Sequence, residues 1–193
     1  MMKKYGLCSL ACLLFFSAVF AQPKPDESVV QPPFFKVKFP EKPIADTQYV
    51  DSDLGKLSMH LFSVEPQGEE QTVFAYIFMH MQYPDSTINS SDTAILPMFF
   101  KNAIDGAASN VNGVIQSVKD YKLQGYPGKD AEILLNQEDE TVIINFRLLL
   151  VNNMMLILQT VSDPANSSSP DVLAFLNSIE LLPMVGKAAE KTP

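Results

Sequence analysis

From Phe34 to Leu182 the chain is dominated by short runs in which apolar and polar positions alternate. "FFKVKF" (34–39) alternates and is closed by Pro40, predicting a strand, and "IADTQYV" (44–50) predicts a weaker one before a turn around Gly55. "LSMHLFSVE" and "QTVFAYIFMHMQ" are two strong alternating segments, joined through Pro66-Gln67-Gly68-Glu69-Glu70 as a hairpin. The period then changes. Ile95, Leu96, Phe99, Phe100, Ala103, Ile104 and Ala107 recur at helical spacing, with Ser91 or Asp92 as cap and Pro97 in the tolerant first turns. Four more strands follow Gly113: "VIQSVKDYKLQ", "AEILLNQ", "TVIINFRLLLV" and "MMLILQTVS", the last two separated by the turn-forming pair Asn152-Asn153. Ser169 caps a final helix, "PDVLAFLNSI", with Pro170 at its first position.

Runs of strands interrupted by single helices predict an α+β fold, with no internal repeat. The expected architecture is a central antiparallel sheet of about six to eight strands, flanked by two main helices in an α/β/α sandwich.

The N-terminus adds a compartment. Lys3 and Lys4 precede the apolar run "YGLCSLACLLFFSAVFA", which ends in the small residues of Val19-Phe20-Ala21. This is the pattern of a bacterial secretory signal cleaved after Ala21 and is too short for a membrane span. Cys8 and Cys12 raise a lipoprotein alternative, but no aliphatic residue stands three before Cys12 and the apolar core runs past it. Cleavage would remove both cysteines, and with them any disulfide or thiolate site. Residues 22–33 then form a proline-rich flexible leader, 34–183 a single domain, and 184–193 a disordered tail.

Charge narrows the partners. There are 14 basic and 22 acidic residues, a net of −8 that becomes −10 without Lys3 and Lys4. So acidic a chain repels phosphate backbones, and no basic, aromatic-studded face is visible, so nucleic acid is not an expected partner. Nothing after Ala21 is long and apolar enough to span a membrane as a helix. The expected partner is an unidentified protein or cell-envelope component.

"LQGYPGKDAEI" (123–133) looks at first like a phosphate-cradling loop. A P-loop needs four residues between its first glycine and Gly-Lys, then Ser or Thr; here two residues separate Gly125 from Gly128, and Asp130 follows Lys129. Tyr126-Pro127-Gly128-Lys129 instead fits a type II turn, making Gly125, Pro127 and Gly128 structural.

"FKVKFPEKP", a glycine-bearing hairpin, the helix, "LQGYPGKDAEI", "RLLLVNNMMLILQT" and "AFLNSIEL" together resemble a group of exported bacterial proteins of uncharacterised role. That group is similar to the PsbP-like and Mog-type α/β/α sandwiches. The resemblance covers roughly 34–182 and implies a non-catalytic binding subunit. Lys129-Asp130 and Asn152-Asn153 are where this chain departs from the group.

Few residues suggest chemistry. His60 and His80 lie on the two arms of the expected hairpin, but a tight turn at 67–70 puts His60 opposite Tyr76 or Ile77, leaving the rings roughly 10 Å or more apart at a rise near ~3.4 Å. They read as ordinary sheet residues, and no metal site is expected. Arg147, the only arginine, interrupts an apolar strand whose faces are Val142, Ile144, Phe146, Leu148, Leu150 and Ile143, Asn145, Arg147, Leu149, Val151. If buried it needs a partner, either an acid such as Glu132 or an anionic ligand. Tyr49, Tyr76, Tyr83, Tyr121 and Tyr126 could furnish a ligand groove, and Tyr76 and Tyr121 are the candidates to join Arg147. Glu138-Asp139-Glu140 reads as a solvated hairpin tip. Met79, Met81, Met154 and Met155 read as core filler. No GxSxG, HExxH, GxGxxG or Ser-His-Asp spacing occurs, and no cofactor is expected. The expected function is an exported, non-catalytic binding or accessory module. The alternative is a carrier or sensor of an anion or lipid-like ligand, bound between the first helix and the sheet and anchored by Arg147.

Overall fold

A computed structural model describes residues 26–183, apart from 53–54, 69–70, 85 and 138–139. The expected signal peptide, the first part of the expected leader, the C-terminal tail, Glu69-Glu70 and most of the acidic hairpin tip therefore lie outside the described residues. The fold is α+β and mostly sheet. Its strands are β1 (Val29–Val30), β2 (Phe35–Lys38), β3 (Ile44–Ser52), β4 (Gly55–Val64), β5 (Val73–Gln82), β6 (Val114–Leu123), β7 (Tyr126–Gln137), β8 (Glu140–Val151), β9 (Met154–Ser162) and β10 (Glu180–Leu181). Helix α1 (Leu96–Asn110) follows β5, and helix α2 (Pro170–Leu176) follows β9.

Seven strands form one antiparallel sheet in the order β3-β4-β5-β9-β8-β7-β6, and β1-β2-β10 form a separate small one. The strand expected at 34–39 thus belongs to the small sheet. Val29–Val30, read from sequence as leader, pairs with it.

Strand β8 sits near the middle of the large sheet, and its alternation works as the sequence implies. Phe146, Leu148 and Leu150 join Leu96, Phe100 and Ile104 of α1 in one core. Leu149 faces the other way, into a core with Phe35 and Val37 of β2, Phe39 just after it, and Val172, Phe175 and Leu176 of α2. Leu148, Leu149 and Leu150 are all fully buried, each contributing about 1.5–3 kcal/mol of transfer free energy. One face of the sheet is therefore covered by a helix, the other by a helix plus a small sheet that the sequence pattern did not separate.

Helix α1 starts at Ile95 with no side-chain cap, so neither Ser91 nor Asp92 does the capping expected of it, and Pro97 sits in the first turn. Ser169 does cap α2, accepting a hydrogen bond from the Val172 amide.

The turn expected at 126–129 lies elsewhere. Leu123 pairs with Tyr126, so the hairpin turns through Gln124 and Gly125, with φ of +50° and +89°. Two consecutive positive φ values suit the right-handed twist of a two-residue hairpin. Gly125 is therefore a turn residue, as expected, but Pro127 and Gly128 lie within β7. Gly128 is needed for close approach instead. A Cβ there would lie 2.3 Å from the Leu148 carbonyl oxygen and 3.1 Å from the Tyr121 ring.

Candidate functional site

Arg147 is 9% exposed and lies directly opposite Asp130 of β7. Its Nε donates to Asp130 Oδ1 at 2.7 Å and one terminal nitrogen donates to Oδ2 at 2.8 Å, a two-pronged ion pair. The other terminal nitrogen donates to the Leu176 carbonyl at 2.7 Å and to Asn177 Oδ1 at 2.8 Å, at the end of α2. Four of the five guanidinium N–H donors are thus engaged. The Tyr121 ring lies beneath, 4.0 Å from the guanidinium carbon. Burial alone would lower the pKa of Arg147, but the hydrogen bonds and charge of Asp130, with Tyr121, outweigh it and the net shift is upward.

The structure differs from the sequence expectations at three points. The acid partner is Asp130, not Glu132; Glu132 lies opposite Asn145 and accepts a hydrogen bond from Ser117 Oγ at 3.1 Å. Arg147 reaches α2, not α1, so it does not anchor a pocket beneath the first helix. Tyr76 does not join it. Tyr76 is 5% exposed and packs edge-on against Phe175 at 5.3 Å, and burial, with Asp171 behind it, raises its pKa. Tyr121 alone of the two candidate tyrosines meets Arg147. A cavity of about 210 Å3 adjoins the pair, walled by Ser117, Lys119, Glu132, Asn145 and Ser167.

The histidines are also corrected. His60 and His80 are cross-strand partners, directly opposite each other. Their ring centroids are 4.7 Å apart and the rings stack at 26°. The sequence reading assumed a tight, symmetric turn. In fact Val64 pairs with Tyr76, and the residues of β5 before Tyr76 pair with β9. That displaces the register and brings the imidazoles together. Thr47, opposite His60 on β3, shares a 3.1 Å hydrogen bond between its Oγ1 and His60 Nδ1. Phe35 packs edge-on against His80 at 5.1 Å. Burial, with the neighbouring His60, pushes the pKa of His80 down to about 4. The pair opens on a cavity of about 550 Å3 whose walls include Ser58, Gln82, Asn153 and Met154. Among the described residues no group of three or more His, Cys, Asp or Glu side chains gathers into a metal cluster. Nor is any described helix long and apolar enough to cross a membrane.

No family model matches the chain, and no curated protein matches it. Among solved structures, it is similar to a protein of unknown function, PA94 from Pseudomonas aeruginosa, with a TM-score of 0.39 and 11% identity over 63% of this chain and 85% of that one. It is also similar to a protein from Bacteroides thetaiotaomicron, with a TM-score of 0.43 and 13% identity over 87% of this chain and 52% of that one. The chain spans about half the length of that second protein. Likenesses at this level carry no assignment of function.

Proposed function

We propose that the chain is an exported, non-catalytic binding module that takes up its partner by strand addition along β3. The observation that carries this reading is the contrast between the two edges of the large sheet. Exposed strand edges offer unpaired backbone donors and acceptors, so proteins usually blunt them with lysines or bulges. Edge strand β6 carries Lys119 and Lys122 and has a register shift between Ile115 and Ser117. Edge strand β3 has neither lysine nor bulge and pairs with β4 without interruption from Ile44 to Ser52. Residues 44–50 are all exposed, with Ile44 at 76% and Tyr49 at 63%. Among the described residues no strand pairs with the outer side of β3, where the Asp46 carboxylate takes the Thr47 amide at 2.7 Å, and an edge with alternating side chains to read is what strand-addition recognition requires.

The layering of α1 on one face and α2 on the other is compatible with the PsbP-like and Mog-type resemblance. The carrier reading is weaker because its intended anchor, Arg147, has four donors already occupied. The test is a photo-crosslinking side chain placed at Tyr49 and, as control, at Val118 on β6. A saturable adduct with an envelope component from Tyr49 alone, lost on Ala45→Pro at an amide on the outer side of the strand, supports the reading. Equal adducts from both edges, or adducts indifferent to Ala45→Pro, contradict it.

A further inference from the structure

We propose that His60 and His80 form a two-imidazole site for a borderline divalent transition-metal ion of the Zn2+, Ni2+ or Cu2+ class, with water filling the remaining positions. The inference goes beyond strand addition and does not depend on it.

A nitrogen ligand lies ~2.0–2.1 Å from such an ion, so two nitrogens on one ion stand at most ~4.2 Å apart. The rings are 4.7 Å apart between centroids and stacked at 26°, and χ2 of histidine is a soft torsion, so rotation of the His80 ring, with His60 held by Thr47, turns its in-plane lone pair toward an ion on His60. Adjacent antiparallel strands hold the two Cβ atoms at a fixed separation, so little chain entropy is lost on binding.

The ligand chemistry fits as well. A metal-binding histidine usually gives its other N–H to a second group, which fixes ring and tautomer. Thr47 Oγ1 is placed to accept from His60 Nδ1, leaving Nε2 of His60 as the ligand atom. No described residue hydrogen-bonds the His80 ring, which Phe35 and Phe62 flank at 5.1 and 6.2 Å. The nearest mobile cation in the cavity wall, Lys56, is drawn aside with its Nζ 4.8 Å from the Tyr49 ring. The adjoining cavity has room for the water ligands, and a net charge of −8 favours cation approach. With two protein ligands the site is open, not a closed structural one.

The chain has two histidines, so the test is direct. With Cys8 and Cys12 blocked by alkylation, Zn2+ is titrated into the full chain while the two imidazole proton resonances are followed by NMR. The expected result is that both move together and saturate at one Zn2+ per chain. In His60→Asn and His80→Asn the remaining resonance should saturate only at tenfold or more higher Zn2+. Thr47→Val, an exposed substitution that leaves both ligands in place, should weaken binding severalfold. Resonances that do not move, or a single variant whose remaining imidazole binds as tightly as before, overturn the proposal.

Discussion

Arg147–Asp130 and His60–His80 are both cross-strand pairs, set directly opposite each other on one face of the same sheet. Arg147 is tied to Asp130, Leu176 and Asn177 and stacked on Tyr121. His60 has one polar partner, and no described residue hydrogen-bonds the His80 ring. The difference follows from what covers each pair. The end of α2 lies over Arg147 and supplies a carbonyl and an amide oxygen, so the cation is satisfied internally. Beside His80 lies the apolar edge of β2, through Phe35, which offers no hydrogen bond, and the pair opens on a cavity. The residue that looks functional in the sequence is built into the fold, while the two that look ordinary keep lone pairs available.

The largest test of this contrast is Arg147→Ala. It leaves Asp130, the Leu176 carbonyl and Asn177 without their donor, and we expect a loss of about 2–4 kcal/mol in urea unfolding. That is below the cost for a fully enclosed pair, because the Asp130 side chain is 37% exposed. Arg147→Lys should recover only part of it, since a single ammonium cannot reproduce the two-pronged contact. Next comes Gly128→Ala. The added Cβ would meet the Leu148 carbonyl and crowd Tyr121, for an expected cost of about 1–3 kcal/mol.

The histidines should show themselves through pH. In metal-free buffer the pKa of His80 is 6.5 in the unfolded chain and about 4 in the folded one. Between those values the unfolded state binds the extra proton, so stability falls as pH is lowered through that window and is fully present above it. His80→Asn should flatten that part of the stability–pH curve while leaving other acid-sensitive contributions in place. The smallest effect is expected from Thr47→Val, a few tenths of a kcal/mol in stability, because its hydrogen bond is exposed.

The sequence carried eight of the ten described strands, both helices and the two faces of β8, because alternation and helical spacing are local signals; the two-residue strands β1 and β10 are too short to show a period. It also carried the need for a partner at Arg147, since an arginine among Phe146, Leu148, Leu149 and Leu150 cannot be left bare. Register was not legible. Gln137 pairs with Glu140, and that short tip puts Asp130 opposite Arg147 where the sequence suggested Glu132. Between β4 and β5 an asymmetric connection, invisible in composition, turned two separated histidines into neighbours. Pro127-Gly128 misled for a related reason. The dipeptide has turn chemistry, but Gly128 is required by the closeness of Leu148 and Tyr121, a tertiary contact.

One unfolding experiment tests the contrast most directly: the melting temperature of the chain, cysteines blocked, against rising Zn2+ and separately against rising phosphate. A ligand that binds only the folded state must raise the midpoint with concentration. An open imidazole pair and a saturated guanidinium predict a rise with Zn2+ that His60→Asn removes, and none with phosphate. A rise with phosphate that Arg147→Lys removes, with no response to Zn2+, would contradict the account.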